Sequence, residues 1–171
     1  MSGVIYALTA VFIIIADQIT KLLAVKYLMP IDTFPIIEDV LHLTYVENRG
    51  AAFGILQNQR WVFIVISVVM IVLLAFVMIK LKKDFHPIMM TGLSFVIGGG
   101  IGNMIDRSLV GYVVDFIDFT LIDFAVFNIA DTFICIGVGL LILDILLGKS
   151  NLSFLDGKKS DKENENGTET D

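Results

Sequence analysis

Four long apolar runs, each broken by few charges, dominate the chain and predict four membrane-spanning helices. The first extends from Val4 to Leu28, interrupted only by Asp17, Lys21 and Lys26, and is long enough to cross a hydrocarbon core of about 30 Å. The second covers 61 to 81: Trp61 suits an interface, Val62 to Ile79 is uncharged, and Lys80, Lys82 and Lys83 follow. The third runs from about Ile88 to Ile105 and the fourth from about Phe124 to Leu147. A cleavable signal peptide is a poorer reading of the first run, since Met1-Ser2-Gly3 has no basic side chain and Asp17 would interrupt the apolar region.

The segments between the runs carry a different pattern. Residues 29 to 60 contain Pro30 and Pro35, and Val40 to Val46 alternates so that Leu41, Leu43 and Tyr45 share one face; this predicts one or two short strands on the membrane surface. The second such segment, 106 to 123, includes the strand-like Val113-Val114-Asp115-Phe116. The expected architecture is therefore mainly α, a polytopic membrane protein with four transmembrane helices and a small extracytoplasmic β-element. Gly98 and Gly102 form a small-residue step expected to pack the third span on the fourth. Asp144 is expected at the interface and Cys135 as a small packing residue within its helix.

Composition agrees with a bilayer protein: 56% of the 171 residues are hydrophobic, with a mean hydropathy of +0.83. The formal charge of −6 says little about partners, because residues 149 to 171 hold six acids and four lysines, leaving twelve acids and eight bases before them. Nothing suggests nucleic acid. That last stretch becomes polar and repetitive after Asp156 and is expected to be a disordered cytoplasmic tail behind a membrane domain of residues 1 to 148. Seven bases (Lys80, Lys82, Lys83, Lys149, Lys158, Lys159, Lys162) fall on one side of a four-span topology and five (Lys21, Lys26, Arg49, Arg60, Arg107) toward the other. The positive-inside rule then puts both termini in the cytoplasm.

Chemistry concentrates between Gly98 and Asp131, where acids interrupt the hydrocarbon. Asp115 and Asp131 both have apolar neighbours, which makes ionisation costly, and two carboxylates close together tend to share one proton, an arrangement that suits a general acid and base. Asn103, Asp106 and Arg107 stand at i, i+3 and i+4 and share a helical face, as Asn128 and Asp131 would on the next helix. Asp17 and Lys21 stand one turn apart and can pair on a bundle-facing side. His42 and His86 fall at opposite membrane faces and Cys135 has no histidine at its level, which disfavours a metal site or a cysteine nucleophile. The glycines at 98 to 102 follow no strand, so they are packing residues and not a phosphate loop.

Four stretches, DQITK (Asp17 to Lys21), ENRGAAFG (Glu47 to Gly54), GNMIDRSLVGYVVDF and FNIADT, together resemble the lipoprotein signal peptidase (signal peptidase II) family in order and approximate spacing, across roughly residues 4 to 147. The resemblance implies an aspartyl endopeptidase with Asp115 and Asp131 as catalytic dyad. It implies supporting or substrate-binding roles for Asn48, Gly50, Asn103, Arg107 and Asn128, and a structural or functional role for Asp17. It further implies a bacterial cell membrane protein whose active site lies near the outer face. Its substrates would be diacylglyceryl-modified prolipoproteins cut just before the lipidated cysteine, with membrane lipids around it and no metal or other cofactor. The alternative carried by the residues is a small proton-coupled transporter with a relay through Asp17, Asp131 and Asp144. Against it, most buried charge gathers at one face and four spans lack a two-halved repeat.

Overall fold

The computed structural model describes residues 3–50, 59–81 and 83–150. Four helices long and apolar enough to cross a membrane are present: α1 (Gly3–Tyr27), α2 (Arg60–Lys80), α3 (Pro87–Leu109) and α4 (Ile129–Leu146). Three short strands, β1 (Thr33–Ile37), β2 (Leu41–Asn48) and β3 (Val113–Asp118), form one antiparallel sheet with β2 in the middle. The expected tail from 151 onward and residues 51 to 54 of the ENRGAAFG stretch lie outside the described residues.

The helices divide the work of burial unequally. α2 buries none of its residues and is apolar all round, as a helix facing lipid on most sides must be. α3 packs against each of the other three helices and buries eleven residues, five of them glycine or serine on the way to Asn103 and Asp106. Small side chains let helix backbones approach closely where hydrocarbon offers no hydrophobic drive to associate. The glycine contacts differ from the expected Gly98–Gly102 step. A Cβ on Gly98 would meet Ala10 O at 3.0 Å and Ile13 Cβ at 3.1 Å, so this residue seats α1, whereas the contacts with α4 come from Gly99 against the Ala130 carbonyl and from Gly92 opposite Gly137. Neighbouring glycines point about 100° apart around a helix, so one glycine run serves two partners.

The sheet covers one end of the bundle. Val113 to Phe116 are all buried, and Val114 and Phe116 pack with Ala24 and Leu28 of α1, flanked by Leu43, Tyr45 and Ile129. Alternation alone could not foresee this, because a strand lying over helix ends is covered on both faces.

α3 extends to Leu109, past the expected end, so Asp106 and Arg107 are helical. α4 begins five residues later than expected. Asp123 takes a left-handed conformation (φ 49°), Phe127 exchanges backbone hydrogen bonds with Ile117, and Asn128 is the extended N-cap of the helix. Asn128 and Asp131 therefore do not share a helical face; they form a capping box. Two further expectations change. Asp144 is fully buried, not interfacial, with its Oδ1 3.6 Å from His86 Nδ1, and Cys135 is exposed on the outside of α4.

Gly99→Ala should destabilise the folded protein by about 1–3 kcal/mol, since its methyl group would meet the backbone carbonyl of Ala130, which cannot move aside, as well as the Ile134 side chain. Gly139→Ala, with nothing within 4 Å of the new carbon, is the control that should leave the thermal midpoint in detergent unchanged.

Candidate active site

The site begins with the start of α4. Asn128 Oδ1 accepts the Asp131 N–H at 2.9 Å and Asp131 Oδ2 accepts the Asn128 N–H at 3.3 Å, a reciprocal cap that satisfies two helix-end donors. Because a backbone N–H can only donate, it fixes which end of the Asn128 amide points where. The Nδ2 group must face the other way, and there it donates to Asp115 Oδ1 at 2.6 Å and to Asn103 Oδ1 at 3.1 Å.

Asp115 is brought to this point by β3. Its Oδ2 accepts from Asn48 Nδ2 at 2.9 Å, and Asn48 Oδ1 in turn accepts the Gly50 N–H at 3.1 Å. Arg107 closes the arrangement from α3: Nη2 donates to the Gly50 carbonyl at 3.3 Å and Nη1 to the Asn103 carbonyl at 3.5 Å, with the guanidinium 4.9 Å over the Phe63 ring. Arg107 thus holds the backbone of Gly50, two residues from the Asn48 that contacts Asp115.

Asp131 is held from the α3 side, where Asn103 Nδ2 donates to its Oδ1 at 2.7 Å. Asn103 Oδ1 accepts from Lys21 Nζ at 2.8 Å. Lys21 also pairs with Asp17 Oδ2 and Asp106 Oδ2, both at 2.9 Å. Asp17 Oδ1 accepts the Ala130 N–H at 2.9 Å, Asp106 Oδ2 accepts the Val114 N–H at 3.2 Å, and Gln18 Nε2 donates to Asp106 Oδ1 at 2.9 Å. Asp17 and Lys21 do pair, but as part of a cluster that reaches three other elements. Sequence reasoning missed Gln18 and the reach of Lys21. The available signal was a buried-looking cation in mid-span, which must find partners in hydrocarbon.

All eight residues singled out from the sequence thus converge. Asp115, Asp131, Asn48, Asn103 and Asn128 form one hydrogen-bonded group, with Arg107 and Gly50 bracing one edge and Asp17 the other. Asp115 and Asn128 are almost wholly buried, while Asp131 is half-buried. Burial is the main cause that lifts the Asp115 carboxyl from 3.8 to about 6; the Asn48 hydrogen bond opposes it, the Asp131 charge adds to it, and the Asn128 hydrogen bond and the Lys21 charge oppose it. Among the described residues no group of three or more histidine, cysteine, aspartate or glutamate side chains is placed to hold a metal.

Residues 9–147 match the family profile of signal peptidase (SPase) II. The chain belongs to the signal peptidase II family. That family membership makes it a protease. Lipoprotein signal peptidase of Brevibacillus brevis is 52% identical over 155 residues, 91% of this chain and 98% of the relative. The protein of the same name from Clostridioides difficile is 41% identical over 146 residues, 85% of this chain and 97% of the relative. A solved bacterial membrane enzyme, determined by the in meso method at 2.3 Å, superposes with a TM-score of 0.76 at 37% identity, covering 88% of this chain and 92% of that one. The transporter alternative finds no support in any of these likenesses.

The raised Asp115 pKa has a consequence for stability. Between 3.8 and about 6 the native protein holds a proton at Asp115 that the unfolded chain has released, so stability falls as pH rises through this window, by up to about 3 kcal/mol for the full shift. Asp115→Asn should remove that part of the slope. The check is a series of thermal midpoints in detergent from pH 4 to 7 for both proteins; parallel curves would show that Asp115 is not the group responsible.

Proposed function

We propose that this protein is an aspartyl endopeptidase that removes signal peptides from diacylglyceryl-modified prolipoproteins, cutting just before the lipidated cysteine, with Asp115 and Asp131 as its dyad. The observation that carries the reading is the linkage of the two carboxylates through amides of fixed direction, Asn128 to Asp115 and Asn103 to Asp131. Both acids are thereby oriented without being neutralised, and burial lifts the Asp115 carboxyl to about 6, so that it holds its proton into mildly acidic solution.

In the proposed reaction the ionised member removes a proton from a water molecule as its oxygen attacks the scissile carbonyl carbon. The protonated member gives its proton to the carbonyl oxygen. When the tetrahedral intermediate collapses, the carbon–nitrogen bond breaks, the proton gained by the first carboxylate passes to the leaving amine, and one hydroxyl of the intermediate returns its proton to the second carboxylate, restoring the starting state of the pair. Asn48, Asn103 and Asn128 hold the carboxylates in place, Arg107 keeps the Asn48–Gly50 turn against the site, and no cofactor takes part.

We place the enzyme in the bacterial cell membrane with both termini in the cytoplasm and the sheet end outward. The support is that α2 starts with Arg60 beside Ser108, near the sheet, and ends at Lys80, after which the sequence continues with Lys82 and Lys83. A bond next to a lipid-bearing cysteine lies near the headgroups, the level at which this orientation puts the dyad. Membrane lipids are the remaining partners.

Purified protein in detergent, given a synthetic diacylglyceryl-modified prolipoprotein peptide, should cut it before the modified cysteine. Asp115→Asn and Asp131→Asn preserve size and most hydrogen bonds but cannot cycle a proton, so each should fold, bind the peptide and lose more than about a thousandfold in kcat. Because the two groups act as one unit, the double variant should be little worse than either single one. Near-normal cleavage by either folded variant would overturn the dyad.

A further inference from the structure

We propose that Lys21 is a positioning residue for this reaction: by donating to Asn103 Oδ1 it fixes the direction of the Asn103 amide, so that Nδ2 is always presented to Asp131. The inference rests on the aspartyl reading above and concerns how one member of the dyad is held.

An amide side chain is nearly symmetric in shape, and rotation by half a turn exchanges a donor for an acceptor. For Asn48 and Asn128 that rotation is prevented by backbone N–H groups, of Gly50 and Asp131 respectively. At Asn103 the oxygen is held instead by two side-chain donors, Lys21 Nζ at 2.8 Å and Asn128 Nδ2 at 3.1 Å, and among the described residues no backbone N–H reaches it. Asn128 Nδ2 is also engaged by Asp115 at 2.6 Å, which leaves Lys21 as the donor at Asn103 Oδ1 with the shorter contact.

An ammonium group has three donors and no acceptor. Lys21 directs them at Asp17, Asp106 and Asn103, at 2.9, 2.9 and 2.8 Å, and the residue is 3% exposed. A cation introduced only to neutralise the two acids would be satisfied by them, together with any other acceptor. Here the third donor goes to the site amide that the described backbone leaves unanchored. A rotated Asn103 would turn a carbonyl oxygen toward Asp131 Oδ1, replacing an attractive contact with repulsion between two acceptors and displacing the carboxylate from the geometry the reaction needs. Displacement of a reacting group by about 1 Å costs on the order of a hundredfold in rate.

The test separates positioning from neutralisation. Lys21→Met alone leaves Asp17 and Asp106 as uncompensated buried charges and endangers the fold, so the comparison is made between Asp17→Asn, which keeps the neutral Lys21–Asp106 pair, and the equally neutral Asp17→Asn/Asp106→Asn/Lys21→Met. In both, the amide oxygen introduced at position 17 can still accept the Ala130 N–H. The second variant, folded as judged by its melting curve and its elution in detergent, should lose about a hundredfold in kcat relative to the first, with KM for the diacylglyceryl-modified peptide changed by less than about threefold. Repeating the pair in an Asn103→Ala background should abolish the difference, since Lys21 then has no amide to orient. Equal kcat for the two variants, or a loss of the same size with and without Asn103, would overturn the proposal. Asp115→Asn and Asp131→Asn are measured alongside: if they retain activity the aspartyl reading itself fails, whereas if they are inactive and Lys21→Met is without effect only the positioning role does.

Discussion

The arrangement depends on one buried ionic cluster at the sheet end of the bundle. Hydrocarbon cannot solvate a charge, so a lysine and two aspartates placed in apolar helices must find one another when the chain folds. Lys21 brings Asp17 of its own helix to Asp106 of α3, and the oxygens left over bind groups from elsewhere: the Ala130 N–H at the start of α4 and the Val114 N–H of β3. Four elements distant in sequence are thereby fixed within a few ångströms. A cluster of this kind contributes little net stability compared with apolar packing, but breaking it is costly, and it defines the relative heights of the elements it joins.

Those heights decide the chemistry. Asp115 and Asp131 come from a strand and a helix start, and each is one residue removed from a group tied to the cluster: Val114 beside Asp115, Ala130 beside Asp131. Backbone hydrogen bonds therefore set where the carboxylates emerge, and the asparagine amides set how they are turned. Two of the three amides are locked by backbone donors; the third relies on a lysine. The site is thus built with few rotatable contacts, as preorganisation requires.

Close helix approach is the second requirement. Gly102 leaves room for the Asp17 carboxylate, 2.6 Å from where a Cβ would stand, and Gly99 lets α3 approach the first turn of α4. With ordinary side chains there, α1 and α4 would be held away from α3 and neither Lys21 nor Asn103 could span the gap. α2, which buries none of its residues, is free of this constraint.

Four apolar runs, the strand character around Asp115, the gathering of polar residues at one membrane level and the pairing of Asp17 with Lys21 were all legible in the chain before any fold was known. They follow from periodicity and from the cost of charge in hydrocarbon, which act locally. The family resemblance added the reading of Asp115 and Asp131 as the proposed dyad. Other features emerged only in three dimensions. Asn128 is a helix cap and not part of a helical face, because the backbone pairing of Phe127 with Ile117 ends the preceding segment there. Gly98 and Gly99 serve different helices, Asp144 is buried beside His86, and Lys21 reaches Asn103. Each of these depends on which side a neighbouring element approaches from, and a one-dimensional pattern of apolar and polar positions carries no record of that direction.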